Sequence, residues 1–166
     1  MCEVSNLTEN TCCFFGHRII KETDELRRKI TEAVEGLITN EKVDTFLFGS
    51  KSRFDSLGLE LVTKLKKKYP HVKLIYVRAE FPYINDDYNE YLQRVYDDTY
   101  YPEGLIRAGR AVYVERNRKM IDNSCFCIVY YDEANAPTTR KSGTKAALDY
   151  AVKKGKVIIT FPDSLI

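Results

Sequence analysis

No stretch of the chain approaches the ~20 consecutive apolar residues that a membrane-spanning helix requires, and its start lacks the charged-then-apolar pattern of a secretion signal. No membrane partner is expected, and the protein is expected to stay in the cytoplasm. An excess of charge of one sign is missing too. With 26 basic and 24 acidic residues, the formal net charge is +2, too small for a global pull toward nucleic acid or an anionic surface. There is also no clear basic-aromatic stripe, so nucleic acid is set aside as an expected partner. Cysteine is sparse and odd in number. Of Cys2, Cys12, Cys13, Cys125 and Cys127, four fall in apolar runs, the pattern of free buried thiols in a reducing compartment rather than of a disulfide framework. A zinc site fits poorly, and neither a metal nor another cofactor is expected. With no internal repeat, low-complexity tract or linker, the 166 residues are expected to form one domain, long enough to build a core without staples.

What the chain does contain is alternation. Apolar strand-like runs cover residues 11–15, 43–48, 72–77, 125–131 and 157–161, and Gly16 and Gly49 stop the first two. Between the first two, Leu26, Ile30, Ala33, Val34, Leu37 and Ile38 recur at helical spacing with charge on the other face. Leu57, Leu61, Val62 and Leu65 do the same in a second helix that ends before Pro70. Residues 80–108 are polar and crowded with tyrosine, as in a loop with one or two short helices. A short strand is expected over residues 111–114, then a helix over 116–121, and a further helix over 143–154. Strands and helices alternating this regularly predict an α/β, Rossmann-like fold with a mostly parallel central sheet and helices on both faces.

In an open parallel sheet, ligands sit beyond the carboxyl ends of the strands. The segments expected there are Gly16-His17-Arg18, Gly49-Ser50-Lys51-Ser52, Arg78-Ala79-Glu80, Glu115-Arg116-Asn117 and Ser142-Gly143-Thr144-Lys145. Glycine permits close backbone approach, and free amides at a helix start favour an anion. Ser142-Gly143-Thr144 therefore reads as a phosphate seat, and Gly49-Ser50 as a weaker one. Taken singly, each such glycine more often turns or caps a chain. Arg18 and Arg116 have the fork geometry that suits phosphate, and His17, without an identifiable partner, reads as a binding or structural residue. Among the acids, Asp55, Glu80, Glu115 and Asp122 fall at the mouth, where one could serve as a general base or a ribose contact, although most such acids cap helices or form salt bridges. The tyrosines Tyr76, Tyr83, Tyr88, Tyr91, Tyr96, Tyr100, Tyr101 and Tyr113 offer rings for a base lid or, more often, for plugging gaps.

In their order these segments resemble the SLOG superfamily, and within it the YpsA-like proteins. The likeness is carried by Cys12-Cys13-Phe14-Phe15-Gly16-His17-Arg18, Phe48-Gly49-Ser50 with Phe54-Asp55, Tyr113-Val114-Glu115-Arg116-Asn117 with Met120-Ile121-Asp122, and Ser142-Gly143-Thr144 before Tyr150-Ala151. It implies a Rossmann-like fold with a nucleotide-type ligand over the glycine turns, and a homodimer is compatible with it. The superfamily's Lonely Guy phosphoribohydrolases have an arginine four residues before a methionine, then PGGxGTxxE. Arg116 and Met120 keep the first spacing and Gly143-Thr144 the GT, but Ser142 replaces a glycine, and Ala146 and Ala147 stand where the acid is due. The expected function is therefore binding of a nucleotide or an ADP-ribose-like ligand, as a sensor or sequestering module. The alternative is a hydrolase of an N-glycosidic or phosphate bond with its acids placed elsewhere.

Overall fold

Over the described residues, 8–105, 109–135 and 143–162, the computed structural model resolves this alternation into six strands and five α-helices. In chain order they are β1 (Thr11–Gly16), α1 (Asp24–Asn40), β2 (Thr45–Phe48), α2 (Arg53–Lys68), β3 (Lys73–Val77), α3 (Asp86–Val95), β4 (Asp98–Tyr100), α4 (Ala111–Asp122), β5 (Phe126–Tyr130), α5 (Gly143–Lys153) and β6 (Val157–Phe161). A 3-10 turn at Glu133–Asn135 lies between β5 and α5.

The strands lie in the order β4-β3-β2-β1-β5-β6, and every neighbouring pair is parallel. The chain works outward from β1 to β4, then returns to the other side of β1 to lay down β5 and β6. The order thus reverses between β1 and β5, where Gly16 pairs with Tyr130 at the carboxyl edge. That reversal is the crevice at which α/β sheets of this type take their ligands.

Alternation along β1 sends Cys12 and Phe14 to one face and Cys13 and Phe15 to the other. On the first face Phe14 stacks on Phe48 at 4.9 Å, beneath Ile30 and Val34 of α1 and Leu57, Leu61 and Val62 of α2. On the second face Cys13, Leu47, Cys127 and Val129 meet Met120 and Ile121 of α4 and Ala147, Leu148 and Ala151 of α5. This two-layer split follows from right-handed crossovers running in opposite directions from β1. Helix α1 starts where the sequence provides a cap: the Thr23 hydroxyl accepts from the Leu26 amide, with Asp24 and Glu25 in the first turn.

Cys12, Cys13 and Cys127 are buried free thiols, and burial pushes the Cys12 thiol well above its ordinary range, so it stays protonated and apolar. Cys2 lies outside the described residues. No helix among the described residues is long and apolar enough to cross a membrane.

Two local expectations are corrected. Residues 111–114 form no strand; they are the first turn of α4. Val112 and Tyr113 carry strand propensity, but Val112, Arg116 and Met120 recur every four residues and are buried together, and that helical stripe prevails. The strand β4 in the tyrosine-rich segment escaped notice because its three residues, Asp98, Thr99 and Tyr100, have no apolar alternation. Its pairing with β3 defines it.

Candidate functional site

The turn from β2 into α2 organises one half of the carboxyl edge. Ser52 caps α2: its hydroxyl accepts from the Asp55 amide and donates to Asp55 Oδ1, both at 3.1 Å. The Gly49 and Ser50 amides then donate to Asp55 Oδ2 at 3.3 and 3.1 Å. The amides read from sequence as a weaker phosphate seat thus already hold an anion belonging to the chain itself. A ligand phosphate placed on them would have to displace Asp55. Burial pushes the Asp55 carboxyl up to about 6, overcoming the opposing pull of those amides, Arg116 and Ser52.

Arg116 reaches this turn from the other side of the sheet. It is buried on α4, with only 3% of its surface exposed, and crosses over Gly49. A Cβ at position 49 would lie 2.6 Å from Met120 Sδ and 2.8 Å from Arg116 Cδ and Nε, so the glycine makes room for the arginine rather than for a turn. The guanidinium donates through Nε to Asn117 Oδ1 at 3.0 Å and, at the long limit of 3.4 Å, through Nη1 to the Val77 carbonyl. Its charge lies over the Tyr113 ring at 5.8 Å. Burial works against that charge, while Asp55, Tyr76, Tyr113 and Glu80 favour it. Glu80, exposed beyond β3, accepts a hydrogen bond from the Tyr113 hydroxyl. Glu115 is half-buried on α4.

The other half of the edge is built on β1 and β5. Gly16 is forced by packing, since a Cβ there would meet the Phe54 side chain at 2.6–2.9 Å. His17 spans the crevice: its amide donates to the Tyr130 carbonyl at 3.2 Å, and its Nε2 accepts from the Asp132 amide at 2.9 Å. The second bond requires an unprotonated Nε2, and it supplies the partner that sequence alone did not reveal. Arg18 presents its side chain to solvent while its carbonyl accepts from the Arg53 amide at the start of α2. Gly143 opens α5, where an added Cβ would meet none of the described residues within 4 Å, and Thr144 behind it is buried; Ser142 lies outside the described residues. Gly143, Ala146 and Ala147 face Val114, Asn117 and Arg118 of α4 across a shallow depression. Because β2, β1 and β5 are adjacent and parallel, and α5 begins after β5, the three glycine turns share one edge of the sheet.

Beside Asp55 a pocket of about 90 Å³ opens between α2, the end of β3 and α3. Tyr76, Tyr88, Tyr91 and Tyr96 line it together with Ser56, Leu59 and Leu92. The aromatic cluster was visible in the sequence, but Ser56, Leu59 and Leu92 were not. The trace they leave is the spacing of Tyr88, Tyr91 and Leu92, which shares one face of a helix.

The family model YpsA, described as the YspA SLOG family, matches residues 13–163. The chain belongs to the YspA SLOG family. Among solved structures, this SLOG domain is similar to DNA processing protein A (DprA) from Streptococcus pneumoniae, with a TM-score of 0.61 and 17% identity over 96% of this chain. The chain spans about half of that protein's length, 53%. It is also similar to DNA processing protein A from Helicobacter pylori, whose structure is described for its single-stranded DNA binding mode, with a TM-score of 0.60, 16% identity, 99% of this chain and 70% of that one. At such identities the likeness establishes the fold, an all-parallel Rossmann-like sheet. No curated protein matches the sequence.

The second likeness overturns the exclusion of nucleic acid drawn from net charge, because the same fold serves a protein described as binding single-stranded DNA. A net charge of +2 sums over the whole surface and is blind to where the charge lies. At the carboxyl edge, Arg18, Lys51 and Arg78 follow β1, β2 and β3 in turn.

Proposed function

We propose that this SLOG protein binds a nucleotide-derived ligand of the ADP-ribose kind at the carboxyl edge of its sheet, as a sensor or sequestering module. The observation that carries the reading is Arg116. It is a buried guanidinium drawn over Gly49 to the edge where the Gly16 and Gly143 turns also lie. Its charge does not titrate away, and its fork suits phosphate. Gly143 begins α5 on the same edge, with space for a ligand beside its Cα among the described residues.

A second reading, single-stranded nucleic acid, is favoured by a separate observation. Phe81, Tyr83 and Tyr91 are exposed by 53%, 91% and 46%, close together in the sequence between β3 and β4, and exposed rings of this kind stack bases irrespective of sequence. The fold likeness to a protein described as binding single-stranded DNA points the same way.

Equilibrium titration with ADP-ribose, nucleoside mono- and diphosphates and a short single-stranded oligonucleotide separates the two. The first reading expects saturable binding of a mononucleotide or ADP-ribose, weakened at least tenfold by Arg116→Ala. Binding confined to the oligonucleotide, with a steep loss on adding salt, selects the second. Base released during incubation, and abolished by Glu80→Gln or Glu115→Gln, would identify a hydrolase instead. No saturable binding of any probe would end both binding readings.

A further inference from the structure

The pocket beside Asp55 has a chemistry that anion binding leaves unexplained. Its lining is mixed: Ser50, Asp55 and Ser56 are polar, and Leu59, Leu92 and the tyrosine rings present apolar surface. Tyr88 and Tyr91, one turn apart on α3, both line the pocket and stack nearly parallel at 9° with centroids 6.3 Å apart. Tyr76, whose side chain hydrogen-bonds that of Tyr88, and Tyr96 are also in the lining and tilt together at 5.2 Å. Burial holds both of these phenols neutral, Tyr76 pushed up to about 12, so their hydroxyls remain donors across the working pH range. Lys51 stands exposed at the rim.

This combination selects a ligand class. A bare anion would face Asp55, and an aliphatic chain would use the apolar part of the lining and none of its polar groups. A planar heterocycle meets both demands, with its faces against rings and its polar edge toward the serines and Asp55. A phosphate attached through its sugar would leave past Lys51, toward the anion-binding edge. The outer wall can yield, since Leu92 is the only buried side chain of α3.

We propose that this pocket is the seat of the base of a nucleotide, with Tyr88 and Tyr91 as its stacking wall; the proposal rests on the nucleotide-binding reading above. The base of a free nucleotide and that of a single strand share this chemistry. The test is calorimetric titration of the full chain with AMP, GMP, CMP and UMP, with ribose 5-phosphate, and with a short oligonucleotide and its abasic counterpart. Nucleotides should bind at least tenfold more tightly than ribose 5-phosphate, or the oligonucleotide at least tenfold more tightly than its abasic form. Tyr91→Ala should erase that preference, Tyr91→Phe should keep it, and Arg116→Ala should weaken nucleotides and ribose 5-phosphate alike. The chain has 12 tyrosines and no tryptophan, so quenching of tyrosine emission by AMP but not by ribose 5-phosphate is an independent readout. Ribose 5-phosphate binding as tightly as every nucleotide, with Tyr91→Ala indistinguishable from the parent and no preference over the abasic strand, overturns the base seat alone. Silence from every probe overturns the underlying reading together with it.

Discussion

Burial moves the Asp55 carboxyl up to about 6 from its ordinary 3.8, against two backbone amides, a serine hydroxyl and an arginine that all pull it down. The direction has a consequence for stability. Between those two values the folded chain holds the proton more tightly than the unfolded chain does. The contribution of this group is therefore complete below about 4 and is lost as the pH rises through about 6. A shift of that size is worth ~3 kcal/mol. Asp55→Asn keeps an oxygen for the Gly49 and Ser50 amides and removes the titration. Denaturant unfolding at a series of pH values from 4 to 7 should show the parent losing ~2–3 kcal/mol relative to Asp55→Asn across that window. A constant difference between the two proteins would contradict the account. From sequence, Asp55 was recognisable as an acid near a helix start and as a site candidate. Its carboxylate's choice of the Gly49 and Ser50 amides was not, because that depends on how sharply the chain turns after β2.

At the scale of elements, α2 illustrates how close packing reverses a propensity rule. Glycine within a helix normally costs about 0.5–1 kcal/mol relative to alanine. Gly58 lies inside α2, yet a Cβ there would sit 2.6 and 2.7 Å from ring carbons of Phe14, at the centre of the first core. Phe14 is itself stacked on Phe48 and packed against Phe54, so it has little room to withdraw. Gly58→Ala is thus expected to destabilise by roughly 1–3 kcal/mol despite the better helix former. A chemical-denaturation midpoint at or above that of the parent would refute the claim. Amphipathic periodicity alone identified α1 and α2, because each buries one stripe on a flat sheet. The same reasoning found α4 only from residue 116 and read its first turn as a strand, because the buried stripe is interrupted by the charge of Arg116. An arginine at an inward position looks like a break in the pattern until the sheet edge it reaches is known.

For the molecule as a whole, the defining event is the reversal of strand order between β1 and β5, and His17 bridges it. The Asp132 amide donated to His17 Nε2 ties the segment leaving β5 to the end of β1. Removing that acceptor should loosen the connection toward α5 without disturbing either core. His17→Ala is expected to accelerate hydrogen exchange at Asp132 at least tenfold while β2 and β3 retain their protection. Unchanged exchange at Asp132 would show that the bridge holds nothing.

The fold class and most of its elements were determined by the order of residues alone. Period-two and period-3.6 burial patterns are local, and one layer of helices on each side of a parallel sheet is the architecture that buries all of them. The glycine turns were equally legible, being short and contiguous. Only the tertiary structure decided what those turns hold: Phe54 against Gly16, Arg116 over Gly49, and Asp55 on the amides that follow it. It also decided that tyrosines from β3 and α3 close a pocket with α2. Contacts of this kind join residues far apart in the chain, and their partners are chosen by strand order, which no local pattern encodes.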